Sequence, residues 1–277
     1  YKKYNQKRME LWHGIPFKGF IKENRKNIAE DFNKASAVIV TSKFFEESFS
    51  KEWNVKKGIL KDLGQPRTDM LIKKPIPIEK VKQSLGISQE KIIFYAPTHE
   101  QDEEKEKELF PWGSDNTFQE IMKSMDGKTA LIIRPHPYWK ENISKTILNE
   151  IENGKNIYYL PTQKVNSTED LIYISDVLIT DWSSIYFDFL LMNKPTIFLD
   201  LKNPFKDNFL MKPEERIGYL CSNSNELIIS INEAINDTDS YYNKYEEKLS
   251  NLKSKVYSNI DGKSTERCIE EIINLVK

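Results

Sequence analysis

Two of the three histidines in this 277-residue chain stand where the backbone is stiff or closely approachable: His13 precedes Gly14, and His136 lies between Pro135 and Pro137. An imidazole of ordinary pKa can take up a proton near neutral pH or donate to a phosphate oxygen, which suits both residues to catalysis on a phosphorylated ligand. Arg134, two residues before His136, adds a planar fork that matches phosphate geometry. Ser183 and Ser184 follow Thr180-Asp181-Trp182 and are expected to open a helix running through Asp188. There, free amides, the positive end of the helix dipole and two hydroxyls could hold an anion. Taken alone, such a Ser-Ser pair reads more often as a plain N-cap. Asp181 could bond a ribose or glycerol hydroxyl, or could anchor its own turn through local amides, and both readings stand. The third histidine, His99, borders a charged stretch and reads as a solvent-facing or rim residue.

These residues have to be positioned by secondary structure, and their spacing says which kind. Four polar clusters each follow a short apolar run: Trp12-His13-Gly14 after residues 9–11, Ala96-Pro97-Thr98 after 92–95, Arg134-Pro135-His136-Pro137 after 131–133, and Thr180-Asp181-Trp182-Ser183-Ser184 after 177–179. Runs rich in β-branched and aromatic residues, at 37–40, 92–95, 130–133, 157–160, 177–179 and 196–199, read as buried strands. Segments with helical spacing alternate with them, at 79–85, 118–125, 143–151, 185–192 and 227–235. This alternation predicts an α/β fold built on parallel sheets. Ligands bind beyond the carboxyl ends of parallel strands, so all four clusters are expected on one cleft.

Lys73-Lys74-Pro75-Ile76-Pro77 cannot continue a helix and marks a boundary between residues 1–72 and 73–277. The preceding Gly64-Gln65-Pro66-Arg67-Thr68-Asp69 reads as a capped connection. Residues 100–108, dense in Glu and Lys, read as a solvated face, and the last forty residues as helical with core-packing stripes.

Composition narrows the function. With 41 basic and 42 acidic side chains there is no overall field to recruit nucleic acid, so any anion site must be local. Cys221 and Cys268 have no metal-ligand or disulfide-framework spacing, which suits a reducing cytoplasm and predicts no metal site. No apolar stretch has the length to cross a bilayer, so the expectation is a soluble or peripheral protein. A first residue Tyr1 and a functional motif by residue 12 read as a truncated chain.

The motifs, in order, carry a resemblance along nearly the whole chain: Leu11-Trp12-His13-Gly14-Ile15-Pro16-Phe17-Lys18, Gly64 to Asp69, Tyr95-Ala96-Pro97-Thr98, Arg134 to Pro137, Asp176 through Thr180-Asp181-Trp182-Ser183-Ser184 to Asp188, Asn193-Lys194-Pro195, and Asp261-Gly262 with Arg267. Together they resemble the CDP-glycerol:poly(glycerophosphate) glycerophosphotransferase family. The resemblance implies a GT-B fold of Rossmann-like parallel sheets, with an acceptor-side N-terminal domain, largely truncated here, and a CDP-donor domain. It implies a transferase that moves glycerol-phosphate or ribitol-phosphate from a CDP-polyol to a membrane-linked teichoic acid or capsular polymer, at the cytoplasmic membrane face. His13 would be the base towards the acceptor hydroxyl; Gly14 and Lys18 are assigned to the acceptor side, where Lys18 could meet an acidic acceptor or could be an ordinary surface lysine. His136, Ser183 and Ser184 would hold the donor diphosphate, with Pro97, Thr98, Arg134, Thr180 and Asp181 completing the donor site. After Thr98 the chain has His99 and Glu100 where the family usually has an aromatic or similar residue and Arg. No obligatory cofactor is expected, although Mg²⁺ could arrive bound to the nucleotide. The competing readings are a nucleotide-sugar transferase of the same fold and a non-catalytic nucleotide- or polymer-binding module.

Overall fold

The computed structural model describes residues 6–17, 19, 28–98, 108–136, 143–165, 167–202 and 209–277. Lys18, His99 and Pro137, and most of the charged run at 100–108, lie outside the described residues.

The chain divides into two compact units: Tyr1–Pro75 with Phe205–Glu215 and Glu247–Lys277, and Ile76–Pro204 with Arg216–Glu246. The boundary near residue 75 falls close to the Pro75/Pro77 signal. The return of 205–215 and 247–277 to the first unit differs from the expected assignment of everything after residue 72 to one domain. Local sequence carries no sign of such a return, because it depends on tertiary packing.

Among the described residues the strands form two sheets, all of whose pairings are parallel. In the first unit, β1 (Met9–Glu10), β2 (Ala37–Val40) and β3 (Leu60–Asp62) lie in the order β1-β2-β3. The helix Lys43–Trp53 follows β2 and buries Phe45, Phe49 and Trp53, spaced four apart on one face. The same unit is closed by the helix Ser264–Val276.

In the second unit, β4 (Lys91–Tyr95), β5 (Thr129–Ile133), β6 (Ile157–Tyr159), β7 (Val177–Thr180), β8 (Thr196–Leu199) and β9 (Tyr219–Cys221) lie in the order β6-β5-β4-β7-β8-β9. Counted from the unit's own first strand this is 3-2-1-4-5-6, the doubly wound order of nucleotide-binding sheets. Ile93, Leu131, Leu178 and Phe198 are fully buried, as central strands covered on both faces require. The topology places one reversal of strand order, between β4 and β7, and that is where a ligand crevice opens in such a sheet.

Candidate functional site

Because β5, β4 and β7 are neighbours and parallel, the segments that leave their carboxyl ends share one edge of the second unit's sheet. Three of the four expected clusters are therefore brought together: 96–98, 134–136 and 180–184. The fourth, Trp12-His13-Gly14, follows β1 and so belongs to the sheet of the first unit. The expectation of four clusters on a single sheet is corrected accordingly. A short apolar run tells that a strand exists, not which sheet it joins.

The reversal point is locked by a side-chain bridge. Thr98 donates to Asp181 Oδ1 through its backbone amide at 2.8 Å and also through its hydroxyl. The Trp182 amide donates to the same oxygen at 2.7 Å. Of the two roles open to Asp181, anchoring the turn is the one the geometry displays. Its carboxylate, 2% exposed, ties the loop after β4 to the loop after β7. Pro97, between Ala96 and Thr98, is buried and supplies no donor of its own, so it shapes this loop rather than bonding across it.

Two residues expected in the donor site turn their polar groups onto the protein itself. Thr180 is fully buried and donates its hydroxyl to the Ala96 carbonyl at 2.7 Å, which leaves no surface for a ligand. Arg134 is 6% exposed, and its Nη1 donates to the Leu160 and Val165 carbonyls at 3.1 and 2.8 Å, while Nη2 donates to Thr168 Oγ1 at 2.9 Å. Burial pushes the Arg134 pKa down and the nearby Glu169 carboxylate opposes it. The guanidinium fork expected to grip phosphate is thus turned onto the segment between β6 and the helix Thr168–Ile174. Type and spacing gave the right place for Arg134, but only packing decides which way a long side chain points.

Ser183, Ser184 and His136 are half-buried at the same edge. The helix that the serines precede is short, Ile185–Leu190, rather than extending to residue 192, so the dipole it offers is that of fewer than two turns. Nor are the serines conventional caps: Ser184 makes no side-chain cap bond, and Ser183 Oγ accepts from the Ile185 amide only at 3.5 Å. By contrast Ser144, Ser167 and Asn223 each accept an amide at the start of their own helices, those beginning at Lys145, Thr168 and Ser224. What the loop presents is hydroxyls and backbone on rigid flanks.

Sequence reasoning missed Arg216. Its guanidinium carbon sits 3.7 Å over the Trp182 ring, and Nη2 lies 3.6 Å from Asp200 Oδ1, with the arginine side chain 6% exposed. Nε and Nη1 are buried with no hydrogen-bond partner among the described residues. Each such orphaned donor costs about 1–3 kcal/mol, against about 2 kcal/mol from a desolvated cation–π stack. The only sequence signal was a charged residue standing three positions ahead of an apolar run, which is too common to read.

In the first unit, Trp12 adopts φ 54°, a left-handed conformation in which a bulky side chain is a genuine outlier, and its amide donates to Glu10 Oε1 at 3.1 Å. The Trp12 ring lies 4.1 Å from the His13 ring and edge-on to Phe32 and Trp53. His13 itself is exposed and Gly14 buried. Backbone strain and an aromatic seat together set the direction in which His13 faces solvent. The other two motifs of this unit dock on each other. Asp69 accepts from the Ser264 and Thr265 amides at 2.9 and 2.8 Å, and Arg267 bonds the Leu63 carbonyl at 2.9 Å and both oxygens of Asp261 at 3.0 and 2.8 Å. The segment read as a capped connection leads into the short helix Asp69–Lys73 and, through Asp69, also caps a helix distant in sequence.

Among the described residues no three His, Cys, Asp or Glu side chains gather to hold a metal ion, and no helix is long and apolar enough to cross a membrane.

The chain is 27% identical to the teichoic acid poly(glycerol phosphate) polymerase of Bacillus spizizenii, covering 96% of this chain and 69% of that protein. It is 24% identical to the teichoic acid glycerol-phosphate transferase of Staphylococcus aureus, covering 95% and 70%. A variant of the wall teichoic acid polymerase TagF superposes with a TM-score of 0.81 at 23% identity, over 100% of this chain and 70% of that one, which shows a shared fold. The model of the CDP-Glycerol:Poly(glycerophosphate) glycerophosphotransferase family matches residues 1–274, and the chain belongs to that family.

Proposed function

We propose that this protein transfers a polyol-phosphate unit from CDP-glycerol or CDP-ribitol to a hydroxyl of a membrane-linked teichoic acid or capsular polymer, releasing CMP. The observation that carries the reading is the reversal between β4 and β7, bridged by Thr98 and Asp181 and flanked by His136, Ser183 and Ser184. In this reading the six-stranded unit holds the donor and the unit bearing His13 is the acceptor side of a GT-B arrangement, working peripherally on the cytoplasmic membrane face. The acceptor oxygen attacks the β-phosphorus in line, the bond from that phosphorus to the CMP oxygen breaks, and CMP leaves with the electron pair. His13 takes the acceptor proton, a role open to an exposed imidazole. His136 and the serine hydroxyls hold the diphosphate, and rate comes chiefly from positioning and charge stabilisation. Gly14 and Lys18 belong to the acceptor side, and any Mg²⁺ enters with the nucleotide phosphates.

The test is calorimetric titration with CDP-glycerol, CDP-ribitol, CMP and UDP-glucose. A CDP-polyol is expected to bind, and His136→Ala and the Ser183→Ala/Ser184→Ala pair to lose most of that affinity. Preference for UDP-glucose would overturn the donor class, and unchanged binding by the variants would overturn the site.

A further inference from the structure

Arg216 stands outside every motif that led to the donor site, yet it lies directly against one of them. Its guanidinium stacks at 3.7 Å on Trp182, the residue between Asp181 and Ser183, while the Trp182 indole N–H is pinned to the Leu201 carbonyl at 3.1 Å. The Trp182 amide is in turn a donor to Asp181, so the cation, the indole and the carboxylate form one connected stack behind the serine loop. Burial pushes the Arg216 pKa down, and the negative charges of Asp200 and Asp181 push it back up. Two carboxylates beside a loop that receives a diphosphate would repel it; one buried cation, 3.6 Å from Asp200 and within the field of Asp181, offsets that repulsion. A fold seeking stability alone would not leave Nε and Nη1 of that cation without partners among the described residues.

We infer that Arg216 is a positioning residue of the donor site: stacked on Trp182, it sets the Asp181–Ser184 loop and neutralises Asp181 and Asp200 so that an anionic nucleotide diphosphate can settle there. The inference rests on the donor reading above and extends it to a residue acting through Trp182 rather than through contact with the ligand.

The experiment is titration of CDP-glycerol into the unmodified chain and into Arg216→Lys, Arg216→Met and the Arg216→Met/Asp200→Asn pair, each first checked for a cooperative melt. Arg216→Met is expected to weaken binding about tenfold, Arg216→Lys less, because it keeps the charge but loses the planar stack. Adding Asp200→Asn to Arg216→Met should recover part of the affinity by removing one uncompensated carboxylate. A merely structural arginine predicts no such recovery, since the second substitution restores no packing. Equal affinity across the chain and all variants, or no recovery in the pair, overturns the inference while leaving the donor reading intact. Absence of binding by the unmodified chain overturns the donor reading and this inference with it.

Discussion

Thr98 reaches Asp181 Oδ1 through both its amide and its hydroxyl, and only the second of these can be removed by substitution. Thr98→Val keeps the shape and the amide bond but takes one donor from a carboxylate that is 2% exposed. The expected cost is about 1–3 kcal/mol of stability, because a buried acceptor loses a partner it cannot replace with water. Donor affinity should fall as well, since the loops after β4 and β7 are held in register by this bridge, whereas Thr98→Ser should behave like the unmodified chain. Calorimetry and thermal melting of the two variants make the comparison; a Thr98→Val protein that melts and binds normally would show that the hydroxyl is dispensable. At this scale the sequence was half legible. It named Thr98, Asp181 and the serines correctly as residues at the carboxyl edge. It could not say that Thr180 and Arg134 spend their polar groups on carbonyls and a hydroxyl of the protein, because direction depends on the packing around each side chain.

Among the elements, the docking of Asp69 onto the helix Ser264–Val276 makes the clearest energetic statement. Burial alone would raise the Asp69 pKa, but the amides of Thr265 and Ser264 outweigh it and hold the carboxyl below its ordinary 3.8. A depressed folded pKa means that the ionised form is favoured by folding. The stabilisation is therefore complete above pH 3.8 and is lost as pH falls through the folded value. Asp69→Asn is expected to cost about 1–2 kcal/mol at pH 7, the worth of a good helix cap, and the difference from the unmodified chain should shrink below pH 3.8. Denaturant midpoints of both proteins at neutral and acid pH measure this, and a gap that widened on acidification would sink the assignment. The strands at Ala37–Val40 and Thr196–Leu199 have the ends that apolar runs predict, since a buried parallel strand is little more than such a run. Leu60–Asp62 and Tyr219–Cys221 escaped notice because each is three residues long, one carrying Lys61 and Asp62 and the other an exposed Leu220. The helix Lys43–Trp53 was legible in the spacing of Phe45, Phe49 and Trp53 but was not read.

For the whole molecule, the two cysteines provide one internal reporter in each unit. Cys221 ends β9 in the six-stranded unit, and Cys268 lies in the helix Ser264–Val276 of the three-stranded one. Both are free and buried, and burial, the largest influence on each, pushes both thiols up to about 11. At pH 8 the thiolate is then roughly two orders of magnitude scarcer than in an exposed cysteine, and neither sulfur is open to reagent. Neither should react with a disulfide reagent in the folded protein. Each should react once its unit opens, so labelling of Cys221→Ser and Cys268→Ser across a urea series reads the units separately. The order follows from the cores. Cys221 lies on the edge strand β9, but it is fully buried and donates to Ser230 Oγ of the helix Ser224–Asn236 at 3.3 Å, whereas Cys268 sits on a helix whose Ile269, Ile272, Ile273 and Val276 are exposed, in the unit with three short strands. Less apolar area leaves water when that helix docks, so undocking it requires less free energy, and Cys268 should label at lower urea than Cys221. Equal rates for the two thiols would instead mean that the units open as one cooperative block, and earlier labelling of Cys221 would reverse the ranking of the two cores.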